Sequence, residues 1–425
     1  MKTIKLPVSV FVTSIIIFLA FSACDVFNSS GDKEPDRPFE RRELPRSLTA
    51  EEIRLVDGSG SFGFELLQKL VERNPESSHF ISPLSIIMAY GMTMNGANGD
   101  TYSQMLEVFG LESMEREEIN VAARDLIGLL STFDDKVTFN IANSIWYREG
   151  YPVANSFLDV NKIHYDAVIE AVNFGNPQTL ERINGWVKEK TGGLIEKITD
   201  DLDPQIVMYL LNAIYFKGDW SVKFDADNTA KRPFYLSDGS VKEVDMMQME
   251  MEEEMEYKYG ENYEAVNLLY GDAGFAMTLI MPDESTTLEK WLSETDWETW
   301  NEVTSTFSDV TLTLGLPKFE LEYEVEGFEG LLMDLGIVDA FDPYLAIFEF
   351  MTGSPNDLFI GESKHKTFIS VNEEGTEAAA VTSVVMFDSA PQVVEITFNR
   401  PFFYVIREVE SGTILFMGTF TGEEL

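Results

Sequence analysis

The sequence predicts an α+β protein, with helices and strands mixed along one large domain rather than alternating as in a parallel α/β fold. Three observations carry that reading. Stretches of helical apolar spacing lie in the first half, alternating strand patterns crowd the second, and two apolar runs close the chain as a hairpin. The globular pattern begins near Ser47 and continues to Phe420 with no internal repeat and no second linker.

In chain order, Phe62 to Val71 places apolar residues at helical spacing, behind Gly58-Ser59-Gly60-Ser61, which reads as a turn before that helix. Pro83 to Met94 is apolar nearly all round, as a buried helix must be. Asn184 to Lys190 reads as a helix ended by Gly192-Gly193. Farther on, Val310, Leu312, Leu314 and Leu316 share one face at a period of two. The apolar phase flips at Pro317 to Phe319, Leu321 and Tyr323, which marks a bulge or bend. Phe402 to Val409 and Ile414 to Phe420 form the closing hairpin across Ser411-Gly412-Thr413.

Hydrophobic content of 44% and aromatic content of 12% suffice for a sizeable core. With 73 acids against 31 bases the formal charge is −42, a surface that repels nucleic acid and anionic membrane alike. The run Glu250-Met251-Glu252-Glu253-Glu254-Met255-Glu256 reads as a solvated acidic face, because no glycine turn or oxygen-ligand spacing accompanies it.

The beginning of the chain is more specific. Lys2 and Lys5 precede an apolar run from Val8 to Phe21 that ends in Phe21-Ser22-Ala23-Cys24. Residues 1–23 therefore read as a secretory signal peptide, too short for a comfortable membrane span. Cys24 is the only cysteine, so no internal disulfide exists. Small residues before a lone cysteine resemble a bacterial lipoprotein box. Lipid on Cys24 would make the protein a secreted envelope lipoprotein, on the periplasmic or cell-surface face, touching the membrane only through that lipid. Residues 24–46, rich in Ser, Gly, Asp, Glu, Arg and Pro, read as a flexible tether, leaving 47–425 as the folded domain.

Enzyme chemistry finds little footing. The histidines, His79, His164 and His365, show no HExxH pairing, and one cysteine cannot make a CxxC site, so no metal or cofactor is expected. No GxSxG elbow, Walker loop or GxGxxG follows a strand. His365, within Lys364-His365-Lys366, has no nucleophile nearby in sequence and suits a structural role better than a catalytic one. The chain is expected not to be an enzyme.

Several segments point elsewhere. Ile81-Ser82-Pro83-Leu84-Ser85-Ile86, running on to Asn95-Gly96-Ala97-Asn98-Gly99-Asp100-Thr101, resembles the second-helix motif of the serpins. "ANSIWY" (142–147), "INGWVKEKTGG" (183–193), "NAIYFKGDW" (212–220) and the tail "FNRPFFYVI" (398–406) with "ILFMGTF" (414–420) are similar to further serpin motifs, in the family's order. "NEEGTEAAAVTSVV" (372–385) resembles the family's hinge. The resemblance implies a serpin fold: about nine helices around three β-sheets, a five-stranded central sheet and an exposed reactive-centre loop. It also implies a suicide inhibitor of serine proteases, and also of cysteine proteases. The loop is offered as bait, is cut, and enters the central sheet as a new strand, carrying the acylated protease with it. Fourteen residues at 3.3 Å each would give about 45 Å of travel. The alternative is a non-inhibitory serpin acting as a surface binding protein.

Site residues follow from the same resemblance. The hinge would be Glu373, Gly375, Thr376, Glu377, Ala378, Ala379 and Ala380. Alternation puts Thr376, Ala378, Ala380, Thr382 and Val384 on one uncharged face fit for burial, and Glu377, Ala379, Val381, Ser383 and Val385 on the other. Ser82, Ser85, Asn212 and His365 resemble a polar gate beneath the central strands. Trp220, Lys318 and Glu373 resemble the group where insertion begins, with Lys318 and Glu373 paired. Ser363 departs from the family, which commonly has an aliphatic residue there.

Counting forward from Gly375, as the fifteenth residue before the cut, puts the reactive bond at Ser389–Ala390. Counting back from Asn399 gives Ala390–Pro391, a bond that the proline ring makes hard to cleave. Phe387–Asp388 is the next alternative, and Met386–Phe387 would shorten the tether. A small residue at the cut implies an elastase-like or subtilisin-like serine protease as target, whereas Phe387 implies a chymotrypsin-like one. A monomer is expected.

Overall fold

The computed structural model describes residues 41–354, 358–376 and 394–423, with backbone alone for 250–254. The signal segment, Cys24, the hinge residues Glu377, Ala378, Ala379 and Ala380, and the reactive-bond candidates Phe387, Asp388, Ser389, Ala390 and Pro391 lie outside the described residues.

The chain opens with α1 (Ala50–Arg73), β1 (His79–Ile81), α2 (Pro83–Met94), α3 (Gly99–Val108) and α4 (Arg116–Ser131). There follow β2 (Val137–Arg148), α5 (Asn155–Tyr165), β3 (Val168–Val172), α6 (Pro177–Lys190) and β4 (Met208–Asp219). Four strands come next: β5 (Ala230–Tyr235), β6 (Val241–Tyr259), β7 (Tyr263–Tyr270) and β8 (Phe275–Pro282). Then come α7 (Leu288–Ser293), α8 (Trp297–Thr304), β9 (Ser308–Pro317), β10 (Phe319–Glu324), α9 (Phe328–Leu335) and α10 (Glu349–Thr352). The chain ends with β11 (Lys366–Asn372), β12 (Gly375–Thr376), β13 (Val394–Thr397), β14 (Phe402–Glu408) and β15 (Ile414–Phe420). No described helix is long and apolar enough to cross a membrane.

Local chemistry explains the boundaries. Thr49 caps α1 reciprocally with Glu52: the Glu52 N–H donates to Thr49 Oγ1 at 3.2 Å, and the Thr49 N–H to Glu52 Oε2 at 2.7 Å. Gly58-Ser59-Gly60-Ser61 therefore lies inside α1 rather than in a turn before it. Close approach is the reason for these glycines: a Cβ on Gly58 would sit 2.2 Å from Phe109 O, and one on Gly60 2.3 Å from the Trp297 ring. Past α6, Gly192 and Gly193 take positive φ and end the helix.

The strands form two hydrogen-bonded sheets. The smaller runs β10-β11-β12-β4-β2-β3, the expected five strands plus the two residues of β12. The other nine strands join in one sheet, where the resemblance implies two, because β6 pairs with β5, β7 and β9 along its length. A register shift between Glu250 and Glu254 interrupts its ladder with β9. At Pro317 the phase flip is a change of sheet: β9 belongs to the large sheet and β10 to the small one. Lys318 stands at that crossing, its N–H bonded to Asp245 O at 2.8 Å.

Two stretches differ from their sequence reading. The end of the tether, residues 41–46, is docked by charge. Arg41 pairs with Glu256, Arg42 Nη1 lies 3.2 Å from Asp272 Oδ2, and the Leu44 N–H donates to Glu410 Oε2 at 2.6 Å. Apolar periodicity carries no sign of such ionic contacts. The acidic run is also not wholly solvated. Glu256 is buried in β6 and accepts from Asn267 Nδ2 at 2.8 Å, so Arg41 and this amide offset its desolvation.

Candidate functional site

At the top of the small sheet the chain turns from β11 into β12, and β12 lies between two neighbours. Thr376 stands opposite Val371 on one side and Gly218 on the other; Gly375 faces Asn372 and Asp219. Only glycine suits that second position: its φ is +148°, and a Cβ there would lie 2.2 Å from Gly218 O. Thr376 is buried, and its hydroxyl lies 2.8 Å from Tyr270 OH. Tyr270 in turn stacks on Trp220 at 4.4 Å between ring centroids.

Backbone and charge tie this corner down. The Trp220 N–H donates to Glu374 O and the Phe224 N–H to Glu373 O, both at 2.9 Å, and Trp220 Nε1 donates to Asn372 O at 2.9 Å. Lys318 Nζ lies 2.8 Å from Glu373 Oε2, and Thr229 Oγ1 donates to Glu373 Oε1 at 2.8 Å. Burial alone would raise the Glu373 carboxyl, but these bonds outweigh it and hold its pKa below the ordinary value. Lys223 Nζ bridges Glu374 Oε2 at 2.7 Å and Asp219 Oδ2 at 2.9 Å. Burial would lower that ammonium, and the two carboxylates keep it raised.

Below β12 the sheet changes character. Among the described residues β4 and β11 share no ladder; each pairs with β12 at the top and with its outer neighbour elsewhere. Where β12 lies between them, a slot two strand spacings wide, about 10 Å, separates β4 from β11. The polar groups under this slot fall into two halves. On the β4 side Ser85 Oγ donates to Asn212 Oδ1, and Asn212 Nδ2 donates to Asn143 Oδ1 at 2.8 Å. On the β11 side the Ser82 N–H donates to His365 Nε2 at 3.0 Å, and Ser82 Oγ donates to Leu415 O at 2.6 Å. Because Nε2 accepts, the His365 proton sits on Nδ1. Burial pushes this imidazole down to about 3, so it is neutral. Ser363 finds its own partner: Tyr90 OH lies 3.0 Å from its hydroxyl, which satisfies a polar side chain beside the slot. Among the described residues no group of three or more His, Cys, Asp or Glu could hold a metal ion.

A family profile described as "Serpin (serine protease inhibitor)" matches residues 57–422, most of the chain. The chain belongs to the serpin family. Antithrombin-III of Mus musculus is 32% identical over 410 residues, covering 92% of this chain and 87% of the relative. The leukocyte elastase inhibitor of Xenopus tropicalis is 31% identical over 376 residues, covering 85% of this chain and 97% of the relative. The crystal structure of the thermophilic serpin tengpin in its native state superposes with a TM-score of 0.78 at 30% identity, over 89% of this chain and 95% of that one.

In this serpin the residues singled out from sequence gather at two places: Trp220, Lys318, Glu373, Gly375 and Thr376 at the top of the slot, and Ser82, Ser85, Asn212 and His365 beneath it. Sequence reasoning missed Tyr270, Lys223, Thr229 and Asn143. Lys223 had a signal, because it follows Asp219 by four residues and can reach back to it. Tyr270 had none, since its hydroxyl matters only through the distant Thr376.

Proposed function

We propose that this serpin is a suicide inhibitor of serine proteases, acting on cysteine proteases as well, and that it works by adding its cut loop to the small sheet. The observation that carries this reading is β12, a strand begun between two strands that otherwise share no ladder among the described residues. Strand addition satisfies backbone groups on both edges at once, the general logic of this binding mode. A loop cut at Ser389–Ala390 stays anchored at Thr376 and extends β12 downward while the acyl-linked protease travels with its free end. The trap holds because distortion removes the oxyanion hole and triad geometry that deacylation needs.

Each group has a task in this scheme. Glu373, Lys318 and Trp220 hold the start of the strand. Ala378, Ala379 and Ala380 pass between packed strands, where one extra methylene costs about 1 kcal/mol or more. Ser82, Ser85, Asn212 and His365 form the gate, each needing a hydrogen-bond partner before and after insertion. A small residue at the cut fits elastase-like or subtilisin-like targets. Lipid on Cys24 would hold the monomer at a bacterial envelope, and mass spectrometry of the purified mature chain reads that modification directly.

The deciding experiment incubates the full chain with elastase and with subtilisin. An SDS-stable band of summed mass is expected, with the released peptide fixing the scissile bond. The cut form is expected to melt higher than the intact one. Cleavage without such a band, across a broad protease panel, would overturn the inhibitor reading in favour of a surface binding protein.

A further inference from the structure

Helices α2, α4 and α5 meet in layers, and the first layer is polar and complete. Asn95, just beyond α2, donates to Asn120 of α4 and to Asn161 of α5, both at 3.0 Å, and Asn120 Nδ2 donates back to Asn95 Oδ1 at 2.9 Å. One helical turn away on each element stand Gly91, Arg116 and Tyr165. His164 Nε2 lies 3.6 Å from Glu117 Oε1, so α4 and α5 run antiparallel and Arg116 comes level with Tyr165. The Tyr165 hydroxyl is seated on α2 where Gly91 has no side chain: a Cβ there would lie 2.4 Å from it. From α3, Tyr102 lays its ring against the guanidinium, with Arg116 Cζ 3.9 Å from the ring centroid.

This second layer is polar but not complete. The Tyr102 and Tyr165 hydroxyls and Arg116 Nη1 are buried with no hydrogen-bond partner among the described residues, whereas Arg116 Nη2 donates to Ala97 O at 2.8 Å. Tyr165 as a whole is only 3% exposed, so water does not reach it from outside. The chain has 73 acids for 31 bases, yet among the described residues no carboxylate pairs with this guanidinium; the groups that act on it are the two phenols. Glu115 and Glu117, its neighbours along α4, are exposed. Burial pushes both phenols up, so the hydroxyls keep their protons, and a guanidinium stays charged even where burial lowers it. Donors therefore converge around a charge without a counter-charge, an arrangement that is costly until one is supplied. A water could take the hydrogen bonds but would leave the charge uncompensated. A monatomic anion accepts from every donor, whatever its direction, and brings the charge. We infer that Arg116 Nη1 and the Tyr102 and Tyr165 hydroxyls bind a halide ion of the chloride class, which ties α3, α4 and α5 together against α2. This inference does not depend on the inhibitor reading.

The test unfolds the full chain in mixtures of sodium chloride or sodium bromide with sodium gluconate at one fixed ionic strength, gluconate being too bulky for a site between packed helices. Above the dissociation constant, each ten-fold rise in halide is expected to lower the unfolding constant about ten-fold. Tyr165→Phe and Tyr102→Phe each remove one hydroxyl and keep the ring, and each is expected to need about ten-fold more halide for the same effect. In crystals grown with bromide, an anomalous peak should lie between Arg116 Nη1 and the two hydroxyls, and Arg116→Met should abolish it. Stability that ignores the exchange of gluconate for halide would overturn the inference. So would a halide effect equal in wild type and both phenylalanine variants, because that effect would act on the whole surface. A bromide peak with no halide effect in solution means binding at crystal concentration only, and a water refined in place of the peak leaves Arg116 without its counter-ion; either result overturns it too.

Discussion

In the nine-stranded sheet β14 pairs with both β8 and β15, and every residue of those three strands is buried. In the six-stranded sheet, among the described residues, β4 and β11 meet through the two residues of β12. Those three strands are paired along their length and covered on both faces; in the small sheet the described ladder between β4 and β11 stops at β12, with polar groups beneath. Packed interiors tolerate little change, so the strand addition proposed above would leave β8, β14 and β15 as they are and act at the end of β12. On that proposal the large sheet is the frame against which the small sheet changes.

Substitutions that separate stability from trapping break this comparison most directly. Thr376→Arg should have the largest effect. It asks an inward-facing, buried position against Tyr270 to hold a charge, and complex formation with protease is expected to fall on the order of 100-fold as the chain becomes a substrate. Phe416→Ala in β15 is the matching lesion in the frame. Phe416 is buried and stacks on Phe80 at 5.0 Å between centroids, so its loss should cost about 3–5 kcal/mol in the intact and cut forms alike, while the ratio of trapping to cleavage stays fixed. Denaturant melts of both forms and a gel-based count of complexes measure the two quantities. Retained trapping in Thr376→Arg would contradict the inward assignment of that residue.

The frame was far more legible in the sequence than the slot. Helix α2 and the β14–β15 hairpin show as apolar runs, because burial on all sides leaves a continuous hydrophobic signature. The start of α1 was readable too: Thr49 and Glu52 spell a capping box, a signal more local than the Phe62–Val71 periodicity. The top of the slot was legible only by resemblance. A two-residue strand has no period, and the partners of Thr376 lie at Gly218, Val371 and Tyr270, which no spacing connects. The docking of residues 41–46 stayed hidden for a related reason, since it uses single charges against distant acids.

A subtler probe is pH, acting through the buried His365. Its folded-state pKa, about 3, lies below the ordinary 6.5, so between those values the unfolded chain binds a proton that the folded chain refuses. The neutral imidazole therefore contributes stability that is whole above pH 6.5 and is lost as pH falls toward 3, with a limiting slope of about 1.4 kcal/mol per pH unit. Chemical denaturation of His365→Gln between pH 7 and pH 4 is expected to show a shallower decline than wild type. Equal slopes would mean that the imidazole is not held neutral.

The smallest expected effect sharpens the comparison at the slot's upper rim. Lys318 is about two-fifths exposed and Glu373 largely covered, so their ion pair is screened and Lys318→Met should cost no more than about 1 kcal/mol. Its signature is a displacement along the pH axis. The lowered Glu373 carboxyl contributes stability that is present above its ordinary 4.5 and is lost as pH falls through the lower folded-state value. Without Lys318 the burial that raises this carboxyl is less opposed, since Thr229 and the Glu373 backbone remain as its donors. Exchange of the Gly375 and Thr376 amides should then quicken at a higher pH than in wild type, while amides of β14 and β15 keep their protection. If the variant and wild type lose protection at β12 at the same pH, the pair does not hold the start of the strand, and the backbone bonds from Trp220 and Phe224 hold it alone.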